Sequence, residues 1–167
     1  MVNTDKHIKI GKVWELLNNI PDPDIPVISI VELGIVRNVE VKDENRVVVT
    51  ITPSYSGCPA MDLFKTEIKV LLENNGASNV EIRISHSPVW TTDWISEATK
   101  IKLGAYGIAP PEHSSQVQAG LFSNKKISCP NCNSTHTKRT SQFGSTPCKA
   151  LWYCNNCRQP FEYFKCY

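Results

Sequence analysis

The chain has 167 residues, 41% hydrophobic, 20% charged and 8% aromatic, with a formal net charge of +2. A chain of this length hides roughly two thirds of its unfolded surface on folding, so it sustains one core, or a core and a small module, without a disulfide network, and its apolar content excludes a disordered chain. Its longest charge-free run, residues 47–61, contains Pro, Ser and Gly, which excludes a membrane helix of about 20 apolar residues.

The first element is amphipathic. Over residues 5–19, Ile10, Val13, Trp14 and Leu17 share a helical face behind a candidate N-cap at Thr4. In P-D-P-D-I-P, which follows, three prolines exclude helix and set an ordered loop. Residues 29–33 suit one helical turn closed by Gly34. Residues 35–42 and 46–52 are rich in Val and Ile, and Asp43, Glu44 and Asn45 between them read as a hairpin turn. The spacing of Leu63, Phe64, Ile68, Leu71 and Leu72 predicts a core-facing helix over 60–75, stopped by Gly76. Residues 80–85 alternate as a half-buried strand does. Asp93 is a candidate cap for a further helix reaching Leu103 and ended by Gly104 or Gly107. Trp90 and Trp94 suit packing between the sheet and that helix, or a ligand platform.

The order helix, strand, strand, helix, strand, helix predicts an α+β domain over residues 1–107, a small sheet covered by helices. Residues 108–126 lose periodicity and read as a linker, and a β-rich module follows at 127–167. Charge changes with it: residues 1–120 hold 11 Lys/Arg against 15 Asp/Glu, and residues 121–167 hold 7 against the single acid Glu162. That basic surface is either a solvated face or a docking patch for an acidic partner or nucleic acid. The first residues show no apolar signal region, so the expected compartment is the cytoplasm, with no membrane partner, and the seven cysteines read as thiols.

Six of those cysteines lie in the tail. C-P-N-C at 129–132 and C-N-N-C at 154–157 stand 21 residues apart, close to the spacing of a tetrathiolate zinc ribbon. Each knuckle offers two sulfurs from one tight turn, and Cys129, Cys132, Cys154 and Cys157 complete a tetrahedron of formal charge −2 around a divalent ion. A tail of roughly 40 residues is too short for a sufficient core, so the ion supplies much of its folding free energy. Closed coordination is structural, not catalytic. Iron accepts the same four sulfurs as zinc. His136 could replace one ligand, although the quartet is already complete. Cys148 and Cys166 are secondary thiols, readable as buried small side chains, a redox pair or part of a second metal site.

Cys58 is the one cysteine among the first 128 residues, between a strand end and the start of the 60–75 helix. A thiol at a helix N-terminus lies at the positive end of the dipole, which favours the thiolate. The alternatives are a buried loop cysteine, or a Cys–His–Asp nucleophile completed through folding by His86 and Asp22 or Asp24.

D-P-D-I-P-V-I-S-I-V-E-L-G-I-V-R at 22–37, T-I-T-P-S-Y-S-G-C-P-A-M-D at 50–62 and W-T-T-D-W-I-S at 90–96 resemble the iron–sulfur assembly domain of SufT-like proteins. Y-G-I-A-P-P at 106–111, F-G-S-T-P-C-K-A-L at 143–151 and F-E-Y-F-K-C-Y at 161–167 resemble the PaaD family of phenylacetate degradation. The resemblance covers nearly the whole chain. It implies a non-catalytic accessory factor that matures the multicomponent phenylacetyl-CoA epoxygenase by helping install iron or an iron–sulfur centre. It also implies that Cys58 is the functional thiol, with Asp22, Thr50 and Thr52 gathered around it. Asp24 stands where the family often has Glu, and S-Y-S-G-C replaces the commoner T-x-x-G-C run.

On this reading Cys58 is a transient ligand for iron or a labile cluster, and one protein thiol leaves coordination sites open for transfer or for a dimer mate. Its partners are the oxygenase client and the iron–sulfur assembly machinery, and the basic ribbon is the docking element. Two rival readings are a general iron–sulfur assembly factor and a nucleic-acid binder. The second would use Lys138, Arg139, Lys149 and Arg158 for phosphates and Trp152, Tyr153, Phe161 and Tyr163 for stacking.

Overall fold

A computed structural model describes residues 7–112 and 127–165. The chain divides into two compact units, Met1–Trp90 and Thr91–Tyr167.

In the first unit, β1 (Val36–Val41) and β2 (Arg46–Ile51) form an antiparallel hairpin, and β2 pairs in parallel with β3 (Asn79–Ile84), giving the order β1-β2-β3. The hairpin turn Asp43–Asn45 places Glu44 and Asn45 at φ 58°. Asn visits this conformation more readily than most residues, and here its Oδ1 accepts the distant Ile8 N–H at 3.0 Å. A parallel pair needs a crossover, supplied by α2 (Ala60–Asn74). Gly76, at φ 100°, reverses the chain after α2 in a conformation other residues resist.

Register puts Val39, Val49 and Ile82 side by side on the helix-covered face, with Val41, Val47 and Val80 one step along. Val47, Val49 and Ile51 are fully buried beneath Phe64, Ile68 and Leu72 of α2 and Val13 and Leu17 of α1 (Ile10–Leu17), which packs on β1 and α2. Thr50, between Asn38 and Arg83, belongs to the opposite face. The helical faces differ in detail from expectation. α1 starts at Ile10, buries Leu16 and leaves Ile10 half exposed, and the expected cap Thr4 lies outside the described residues. In α2, Met61 is buried in place of Leu63.

The 29–33 turn is closed by reciprocal bonds: the Ser29 amide donates to Glu32 Oε2 at 3.0 Å and the Glu32 amide to Ser29 Oγ at 3.1 Å. Trp90 is buried, and its Nε1–H donates to the Leu33 carbonyl at 2.9 Å, so it packs and anchors this turn.

In the second unit α3 (Glu97–Ala105) is capped by Ser96, whose Oγ accepts the Thr99 amide at 3.1 Å. Asp93 is not the cap. It lies in a preceding 3-10 turn, Thr92–Trp94, held by Thr91 Oγ1. A four-stranded sheet follows in the order β4-β7-β6-β5, made of β4 (Ile108–Ala109), β5 (Thr137–Ser141), β6 (Lys149–Cys154) and β7 (Pro160–Phe164). β4 runs parallel to β7 and the other pairs are antiparallel. The start of the segment read as a linker is thus a strand of the ribbon sheet, and α3 lies in the same unit. Ala109, Ile127, Ala150, Trp152, Phe161 and Tyr163 form the core of the sheet around Cys129 and Cys154. Trp152 and Tyr163 meet edge to face, centroids 6.2 Å apart. No helix among the described residues is long and apolar enough to cross a membrane.

Candidate functional site

The two knuckles fold alike. In the first, the Cys129 amide donates to the Ser134 carbonyl at 3.0 Å; in the second, the Cys154 amide donates to the Gln159 carbonyl at 3.0 Å. Four residues after each leading cysteine the chain turns left-handed, at Asn133 (φ 58°) and Arg158 (φ 60°). The knuckles thereby face each other. Cys129 and Cys157 Sγ are 3.7 Å apart, Cys132 and Cys154 Sγ 3.6 Å, and all four sulfurs lie within 4.8 Å of one another. A tetrahedral Zn–S distance of about 2.3 Å requires S···S separations of about 3.8 Å, so the quartet fits zinc. The donor chemistry agrees: four thiols, two fully buried against the ribbon core, satisfy a soft tetrahedral ion and leave it no open position.

Backbone amides tune the sulfurs. The Ser134 N–H beside Cys132 pulls that thiol down to about 6, toward the ligating thiolate. Burial pushes Cys157 up to about 12, against the Gln159 amide. His136 is exposed and outside the quartet; its carbonyl accepts the Asn155 amide at 2.9 Å. Cys148 is also separate from the quartet, with Sγ 3.0 Å from Thr146 Oγ1. Cys166 lies outside the described residues. The left-handed residues Asn133 and Arg158 escaped the sequence reading; their signal is the shared position after each C-x-x-C.

The β2–α2–β3 crossover decides where Cys58 lies. The Ser85 amide donates to the Ile51 carbonyl at 2.9 Å, keeping the carboxyl ends of β2 and β3 together, and clefts outside such strand ends are where parallel sheets bind ligands. Cys58 is half-buried in the loop leaving that end, and its carbonyl accepts the Met61 amide at 3.3 Å as α2 begins. Gly57, at φ 79°, makes the turn before it.

Thr52 follows β2, its amide bonded to the Ile35 carbonyl at 2.8 Å and its side chain buried; among the described residues Oγ1 has no hydrogen-bond partner. Thr50 is half-buried two residues earlier on the same strand face. Asp22 fastens the proline loop, its Oδ1 accepting the amides of Asp24 and Ile25, both at 2.9 Å. No hydrogen bond joins Cys58 to His86 among the described residues.

Comparison with known proteins gives both units counterparts. Residues 11–84 match the family described as "Iron-sulfur cluster assembly protein", and residues 113–165 match "PaaD zinc beta ribbon domain". The chain is 43% identical to an Escherichia coli (strain K12) protein named as a subunit of a "Putative 1,2-phenylacetyl-CoA epoxidase", over 95% of this chain and 93% of that one. It is 33% identical to an "Fe-S protein maturation auxiliary factor" of Porphyromonas gingivalis, over 55% of this chain and 88% of that one. A crystal structure of a domain of unknown function, DUF59, from Bacillus anthracis superposes with TM-score 0.53 at 29% identity, covering 56% of this chain and 90% of that one.

Proposed function

Because this chain belongs to the PaaD family, in which an iron–sulfur cluster assembly domain precedes a zinc β ribbon, we propose that it is a non-catalytic maturation factor of the cytoplasm. It delivers or assembles iron, or an iron–sulfur centre, for the phenylacetyl-CoA epoxygenase. The first unit, Met1–Trp90, handles the cargo, and the second, Thr91–Tyr167, which contains the structural zinc ribbon, docks the client.

Cys58 is the acceptor. Its thiol loses a proton to solvent as sulfur bonds the incoming iron, and the bond breaks when a client ligand takes its place. One protein sulfur leaves the remaining coordination positions to the client, to the assembly machinery or to a second copy of the chain. Asp22, Thr50 and Thr52 shape the surrounding pocket, with the Thr52 hydroxyl held to donate to the cargo or its sulfur. The observation that carries this reading is the half-buried thiol at the carboxyl end of the parallel pair, in the same β2-end region as a buried hydroxyl that has no hydrogen-bond partner among the described residues. The nucleic-acid alternative loses most of its stacking surface, since Trp152, Phe161 and Tyr163 are buried in the ribbon core and only Tyr153 of the four is half-buried.

The test is a cell lacking this protein, supplied with wild type or Cys58→Ser. The expected result is loss of epoxygenase activity and of its bound iron with Cys58→Ser, while ribbon zinc and melting temperature stay unchanged. Full epoxygenase activity from the variant would remove Cys58 from the mechanism.

A further inference from the structure

Among the described residues β3 pairs with β2 alone, so it leaves one edge of the first unit's sheet open. That edge is regular. The register with β2 runs unbroken from Asn79 to Ile84, whereas the other edge strand, β1, has an irregularity between Val36 and Asn38, a feature that discourages further pairing. The Ser85 amide points to β2, where it meets the Ile51 carbonyl. Alternation therefore turns the amides and carbonyls of Val80, Ile82 and Ile84 outward, ready for another strand.

The side chains along this edge differ on the two faces. On the α2 face, a groove of about 360 Å³ is lined by Lys65, Thr66, Lys69 and Val70 of the helix and by Val80 and Ile82 of the strand. Val70 is 52% and Ile84 42% exposed beside it. The two lysines bring little net charge, since Lys65 is paired with Asp62 at 2.8 Å and Lys69 with Glu73 at 4.0 Å. On the opposite face Glu81 and Arg83 are half exposed and joined at 2.7 Å. The other charges of that face lie farther from the edge: Glu40 and Lys42 pair with each other at 3.5 Å, and Arg46 of β2 stands beside Asn79.

Two-fold symmetry identifies the strand that fits. An antiparallel pairing of β3 with a second β3 that keeps most of the strand paired is centred on residue 81, 82 or 83. Centred on 81 or 83, it sets Glu81 against Glu81 or Arg83 against Arg83, and like charges directly opposite are destabilising. Centred on Ile82, it sets Glu81 against the partner's Arg83 twice over, at the non-hydrogen-bonded positions where side chains lie closest. Arg83 keeps its own Glu81 as well, because a guanidinium has five N–H donors. Val80, Ile82 and Ile84 then form the hydrogen-bonded pairs, and the partner's Ile84 covers Val80 in the groove. We propose that the open edge of β3 binds a second copy of this chain, antiparallel and centred on Ile82, joining two three-stranded sheets into one of six. The carboxyl ends of the two β3 strands point apart, with the Ser85 positions about 20 Å from each other along the seam at about 3.3 Å per residue. Cys58 lies at that end of the sheet, so each thiol serves its own cargo and a copy bound through this edge adds no sulfur to it. The dimer stands without the maturation reading.

The test is sedimentation velocity of the full-length, zinc-loaded protein, with hydrogen exchange read amide by amide. Wild type should dimerise as its concentration rises, gaining protection at Val80, Ile82 and Ile84. Glu81→Arg lines the seam with arginines alone and Arg83→Glu with glutamates alone, and each should weaken the dimer roughly tenfold or more. Both positions are exposed, so folding is kept, which the melting temperature checks. An equal mixture of the two variants should associate again, because the arginines of one copy then face the glutamates of the other. Cys58→Ser, which tests the cargo reading, should dimerise as wild type does. Wild type that stays monomeric, protection gained only on other surfaces, single variants that associate as wild type does, or a mixture that fails to associate would each overturn the proposal.

Discussion

The Lys149 ammonium lies 2.9 Å from the Glu162 carboxylate across β6 and β7, with the lysine side chain only 3% exposed. The pair is held in place by the loop before β6. The Ser145 amide donates to Glu162 Oε1 at 2.6 Å, and a Cβ on residue 144 would stand 2.6 Å from the same oxygen, which explains the glycine there. Removing one partner of a buried pair leaves an uncompensated charge, so Glu162→Gln should lower stability by about 3 kcal/mol. Urea unfolding of the zinc-loaded protein measures it. Lys149→Met combined with Glu162→Leu should recover most of the loss, because two apolar groups bury no orphan charge.

The same pair has a pH signature. Burial alone would raise the Glu162 pKa, but the Ser145 amide and Lys149 outweigh it and hold the carboxyl below its ordinary value of 4.5. A folded value below the unfolded one means stability that is fully present above the ordinary glutamate range and is lost as pH falls through the folded value. The difference in urea midpoint between wild type and Glu162→Gln should therefore be constant near neutrality and shrink below pH 4.5. A gap that widened on acidification would contradict the assignment.

Zinc removal should act on one unit only. The ribbon core is small and centred on Cys129 and Cys154, so a chelator should erase amide protection in β5, β6 and β7. β1, β2 and β3, with their own core under α2, should keep theirs. Hydrogen exchange read strand by strand distinguishes this from global unfolding. Cys157→Ser should give the same pattern and less than one zinc per chain.

Much of this architecture is legible in the residues. The Val/Ile runs of β1 and β2 and the pairing of two C-x-x-C knuckles are local patterns with one good solution. What escaped is of another kind. β4 is two residues, Ile108–Ala109, in a stretch without periodicity, and only its long-range partner β7 makes it a strand. Ser96 and Asp93 are both good caps, and the choice fell to Ser96 because Thr91 had already folded Asp93 into a 3-10 turn. Thr50 and Thr52 lie on one strand face, which alternation predicts, whereas the unpartnered state of Thr52 Oγ1 depends on every neighbour around it.

Arg158 is strained where glycine would not be. An L-residue in the left-handed region costs about 1–2 kcal/mol, while glycine there loses part of that gain to the entropy of its unfolded chain. Arg158→Gly should therefore shift stability by less than about 1 kcal/mol, and Arg158→Val, β-branched at φ 60°, should cost about 1–2 kcal/mol or more. Competition with a chromophoric chelator should show the same order in zinc affinity. Equal affinities in all three proteins would mean that the second knuckle tolerates any backbone at this position.

Thr52 offers the sharpest separation of folding from function. A buried hydroxyl without a partner carries a desolvation penalty, and an isosteric methyl group removes it. Thr52→Val should therefore stabilise the first unit by about 1 kcal/mol, seen as a higher melting temperature. If the hydroxyl is kept to donate to cargo at Cys58, the same change should lower epoxygenase maturation several-fold, while Thr52→Ser should retain it. A side chain present only for packing would give the opposite pair of results: Val would support maturation as well as Thr, and Ser, lacking the methyl group, would be the variant that fails.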